Sequence, residues 1–67
     1  MADEFVNVLA TSSVVEGELA RGRLESEGIP VLLKGEGIDA PYPTGPVHVL
    51  VPASFETRAR QLLDQAN

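Results

Sequence analysis

Residues 13–34, SVVEGELARGRLESEGIPVLLK, leave the chain little freedom. Ser13 followed three positions later by Glu16 has the spacing of a capping box, in which each side chain covers the other's free backbone N–H at a helix start. At the far end Gly28 takes the left-handed conformation that closes a helix, and Ile29 folds back on the last turn as in a Schellman stop. Pro30 forbids helical continuation and pushes Ile29 into an extended conformation. Val31, Leu32 and Leu33 then read as a strand. The pattern predicts a helix over about residues 14–27 and a strand over about 30–34, with almost no slack between them.

The helix periodicity is not clean. Leu19, Ala20 and Leu24 form the expected inward stripe, with Gly17 beside them and Val14 and Val15 flanking the start. Gly17 and Gly22 each cost a helix interior on the order of 1 kcal/mol relative to alanine. Small residues at 17 and 20 suit a helix lying close on a sheet, held by packing rather than by propensity.

On either side stand simpler signals. Phe5 to Ala10, FVNVLA, is rich in β-formers; Val6, Val8 and Ala10 share one face, and Phe5, Asn7 and Leu9 the other. Residues 35–46, GEGIDAPYPTGP, hold three glycines and three prolines and read as a long loop. VHVLV at 47–51 is the strongest strand signal, and Pro52 ends it. Phe55, Ala59, Leu62, Leu63 and Ala66 then make an apolar stripe at helical spacing.

The order is β-α-β-β-α: one α+β domain over residues 1–67, a three-stranded sheet with two helices on one face. The third strand inserts between the first two as a split β-α-β.

A chain of 67 residues supports only a small core, and small domains usually add a staple. With no cysteine and one histidine, neither a disulfide nor a usual zinc site is available. Self-association remains. A net charge of −5 argues against nucleic acid as a partner. No apolar run reaches the ~20 residues that span a bilayer, and MADEF is unlike a secretory leader, so the expected location is the cytoplasm.

EGELARGRL at 16–24, the Glu27-Gly28-Ile29-Pro30 stop, the strand VHVLVP and the Ala59-x-x-Leu62-Leu63 helix end together resemble the DUF2007 family, small prokaryotic domains described as putative signal transducing proteins. The resemblance runs over about residues 6–63. It implies a PII-like, ferredoxin-like β-α-β-β-α-β domain, of which this chain reads as a truncated form without the last strand. It transfers no catalytic residue.

The candidate chemistry is thin. Ser12, Ser13 and Ser54 have no evident base, and His48 between valines is read as a surface or interface residue rather than a general base. Glu36 and Asp39 are too few for a cation site, and no cofactor or metal is expected. Arg21 and Arg23 either form an anion patch or pair with Glu18, Glu25 and Glu27; the helical spacing favours pairing. Tyr42, between Pro41 and Pro43, either contacts a partner or folds over the open end of the core.

The best lead is the face of the sheet away from the helices. If the helices cover Val6, Val8, Val31, Leu33, Val47, Val49 and Val51, then Phe5, Leu9, Leu32 and Leu50 stand outside as a contiguous apolar patch, and strand one is an open edge. The sequence reads as a non-enzymatic regulatory or interaction module. It is expected to associate through that face, as a homo-oligomer (a dimer first of all) or with a protein partner, using Phe5, Leu9, Leu32, Leu50, Tyr42 and His48. The alternative is a PII-like small-molecule sensor, with its ligand between subunits or under the 35–46 loop.

Overall fold

The computed structural model describes residues 4–35 and 46–65. In chain order they form β1 (Phe5–Thr11), α1 (Val14–Ser26), β2 (Leu32–Gly35), β3 (Val47–Pro52), a single 3-10 turn (Ala53–Phe55) and α2 (Glu56–Gln65). The sheet order is β1-β3-β2, with β3 antiparallel to both neighbours. This is the expected α+β arrangement, consistent with a small ferredoxin-like fold. Tyr42, Glu36, Asp39, Ala66 and most of the Gly/Pro-rich loop lie outside the described residues.

The ends of α1 are built much as the residues dictate. Ser13, extended at φ −110° and ψ 117°, accepts a hydrogen bond on its hydroxyl from the Glu16 N–H at 3.1 Å. The reciprocal half of the box is replaced: the Ser13 N–H donates to Thr11 Oγ1 at 3.1 Å, so the preceding strand supplies the acceptor expected of Glu16. At the other end Gly28 has φ +81°. Its N–H donates to the Glu25 carbonyl at 2.9 Å, and the Ile29 N–H reaches back to Leu24 at 3.1 Å. These two bonds are the Schellman pair. Ile29 is carried into the core at 1% exposure beside Leu24 at 0%, which couples the helix stop to the packing.

One core joins both helices to one side of the sheet: Val8, Val49 and Val51 from the strands, Ala20, Leu24 and Ile29 from α1 and its stop, and Ala59 from α2. Val6, Leu9, Val31, Leu33, Phe55, Leu62 and Leu63 pack around it half-buried. Gly17 lies against the sheet so closely that a Cβ there would stand 2.9 Å from Val47 Cγ1 and 3.3 Å from Leu33 Cδ1. Lateral bonds complete the frame. Arg23 Nε donates to the Leu62 carbonyl at 3.0 Å, and Arg58 pairs with Glu27 at 3.0 Å, so α1 and α2 run antiparallel. Arg60 of α2 donates to the Asn7 carbonyl of β1 at 3.1 Å.

Two expectations are corrected. Leu19 is 70% exposed, so the inward stripe of α1 is Gly17, Ala20 and Leu24, at i, i+3 and i+7. A helix this near a sheet has room there for a glycine and an alanine, and the larger leucine is turned outward. Leu9 is on the covered side, because β1 carries a bulge: Asn7 pairs with Leu50 and Leu9 with Val49, leaving Val8 as the extra residue. An extra residue reverses the in-out alternation beyond it. Leu9 therefore joins Val8 against the core, and Ala10, opposite His48, takes the outward place.

Candidate interaction surface

The register assembles the uncovered side of the sheet row by row. Phe5 stands opposite Pro52; the next row is Asn7, Leu50 and Leu32, and the next Ala10, His48 and Lys34. Residues opposite one another share a face, and Val47, Val49 and Val51, which alternate with these β3 positions, are fully buried on the other side. Phe5 is 41% and Leu32 39% exposed, while Leu50 and His48, on the central strand, are half-buried by their neighbours. Of the expected patch, Phe5, Leu32, Leu50 and His48 come together here. Leu9 does not, and Tyr42 is outside the described residues.

Charge is divided between the two sides. Among the described residues every carboxylate except Glu4 belongs to α1, its C-cap or α2. Among the described residues the open face holds no carboxylate, and Lys34 is its one formal charge. Lys34 beside His48 was not singled out by the sequence; the β2–β3 register places it there. The apolar part of the face is thus a band from Phe5 through Leu50 to Leu32, bordered by polar Asn7, His48 and Lys34.

His48 itself is quiet. Its Nδ1 lies 3.4 Å from the Asn7 side-chain amide nitrogen, a long contact that favours the tautomer protonated on Nε2. No hydroxyl nucleophile and no carboxylate partners the ring among the described residues, so the geometry offers no nucleophile–base pair. The arginines of α1 are likewise engaged: Arg21 pairs with Glu18 at 2.9 Å and with Glu25 at 3.9 Å, and Arg23 is bound to the Leu62 carbonyl. Pairing, rather than an anion patch, accounts for Arg21. Arg23 finds a backbone acceptor in place of a carboxylate. Among the described residues no group of three or more His, Asp or Glu side chains could hold a metal, and no helix is long and apolar enough to cross a membrane.

The DUF2007 family model, described as putative prokaryotic signal transducing protein, matches residues 5–67. No curated protein and no solved structure matches the chain.

Proposed function

Because the chain belongs to the DUF2007 family, described as putative prokaryotic signal transducing proteins, we propose that it is a non-enzymatic regulatory module that works by association through the open face of its sheet. The carrying observation is the band Phe5–Leu50–Leu32, on a sheet face that neither helix covers. Contiguous apolar side chains exposed on a sheet favour burial at about 25 cal/mol per Å² of apolar surface. In a chain this small such burial also adds stability that the single core supplies sparingly.

The favoured partner is a second copy. Two chains of net charge −5 repel each other, and the described residues of the open face present no carboxylate to the partner. A face-to-face pair about a two-fold axis uses the same patch on both subunits and closes the assembly. Lys34, at the border, keeps its ammonium in water while its stem covers apolar surface.

Sedimentation equilibrium over a wide dilution range tests this. The expected result is a dimer for the native chain, with Leu50→Glu and Leu32→Glu both monomeric and unchanged in circular dichroism. Leu32, on an outer strand, guards against the case in which a charge at central Leu50 disturbs the fold. A native chain that is monomeric at every concentration, or a dimer indifferent to both substitutions, overturns the proposal.

A further inference from the structure

The outward side of α1 carries a second apolar surface. Val15 and Leu19 are 69% and 70% exposed and, four residues apart, are neighbours on the helix. Gly22 continues the same line one turn on, and a Cβ at that position would meet nothing within 4 Å. Glycine weakens a helix interior. The close sheet contact that demands glycine at 17 has no counterpart at 22. Two large apolar side chains beside a stretch of bare backbone make a ridge and an adjoining hollow, the relief into which the side chains of a facing helix fit.

The charges along this line select the partner. Glu18 and Glu25 border it on one side, and Arg21 between them is already held by both. Glu16 and Arg23 border it on the other, and the Arg23 guanidinium is turned to the Leu62 carbonyl. Three carboxylates and two guanidinium groups therefore border the line, a small acidic excess in a chain of net charge −5. We propose that the Val15–Leu19–Gly22 face of α1 docks an amphipathic helix of another protein, one with an apolar stripe flanked by lysine and arginine. A second copy is disfavoured at this face because two chains of net charge −5 repel each other. This surface is separate from the open sheet face and does not rest on it.

The test uses the full chain and two designed helical peptides with the same leucine stripe, one flanked by lysine and arginine, the other by glutamate. Titration is followed by amide chemical shifts and fluorescence anisotropy. The basic peptide should bind with shifts centred on Val15, Glu18, Leu19 and Gly22, and the acidic peptide at least tenfold more weakly. Leu19→Glu, and Gly22→Leu, which fills the hollow, should each weaken the basic peptide at least tenfold. Leu50→Glu should leave that binding unchanged. Equal binding of the two peptides, shifts confined to the sheet, or indifference to Leu19→Glu overturns the proposal. So does the loss of self-association in Leu19→Glu, which would make the occupant a second copy.

Discussion

The two sides of α1 invert the usual rule for a helix packed on a sheet. Its inner side consists of Gly17, Ala20 and Leu24, so two of the three buried positions carry almost no side chain. Its outer side presents Val15 and Leu19 to solvent. In α2 the large residues turn the ordinary way, with Leu62 and Leu63 packed around buried Ala59. The inner side of α1 thus gains its hold from proximity, with Leu24 as the one large anchor. The outer side adds nothing to the fold that the described residues can account for, which leaves it available for recognition.

The sharpest break of that comparison is to remove the same three carbon atoms of a leucine from each side. Leu24 is fully buried, so Leu24→Ala should cost about 2–5 kcal/mol through lost transfer energy and a residual cavity. In so small a domain this is a large share of the total stability. Leu19→Ala, at a 70% exposed position, should stay within about 0.5 kcal/mol of the native chain. Urea midpoints of the two variants measure the difference. A Leu19→Ala cost approaching that of Leu24→Ala would mean that the outer side is packed after all.

The pair Leu19 and Leu24 also marks how far the fold was legible in the sequence. The stop at Gly28 and Ile29, the Ser13 cap, the valine strand and the stripe from Phe55 to Leu63 are local signals, and each appears where its chemistry puts it. The inward stripe of α1 depends on how near the helix comes to the sheet, a tertiary distance that pushes Leu19 outward and that apolar periodicity does not encode. The face of Leu9 depends on one bulged residue, Val8, and nothing in FVNVLA marks where the extra residue falls. The open patch was legible for Phe5, Leu32, Leu50 and His48 because simple alternation holds at those positions. It was not legible for Ala10, which lies beyond the bulge, or for Lys34, whose place beside His48 depends on the β2–β3 register.

The two glycines sharpen the comparison further, since the same substitution should have opposite signs on the two sides. At Gly22 a methyl group meets open space, so Gly22→Ala should stabilise by the helix-propensity difference of about 1 kcal/mol. At Gly17 the same gain is set against overpacking. The new Cβ would lie 2.9 Å from Cγ1 of Val47, a stiff β-branched side chain that is itself fully buried. Overpacking of this kind costs about 1–3 kcal/mol, so Gly17→Ala should be destabilised overall by roughly 1 kcal/mol. Paired thermal and urea unfolding would show the sign. If Gly17→Ala stabilises as much as Gly22→Ala, the close approach of α1 to β3 is not a constraint on the fold.

The smallest effects concern the start of α1, where a helix with so sparse an inner side depends on its cap. Ser13→Ala removes the acceptor of the Glu16 N–H and should cost about 1 kcal/mol. In a reciprocal box Glu16→Ala would cost a similar amount. Here the Ser13 N–H is satisfied by Thr11 Oγ1, so the Glu16 carboxylate contributes chiefly as a charge in the first turn, worth about 0.3–1 kcal/mol at low salt. Screening should reduce the Glu16→Ala cost toward zero in 1 M salt, where the Debye length falls to about 3 Å. The neutral Thr11 bond should be indifferent to salt, and Thr11→Val, which keeps the shape and loses the acceptor, should cost about 1 kcal/mol at either ionic strength. Measuring Ser13→Ala, Glu16→Ala and Thr11→Val at both ionic strengths separates a strand-supplied cap from a helix-supplied one. A salt-insensitive loss at Glu16 with none at Thr11 would restore the box and place the whole N-terminal hold of α1 within the helix itself.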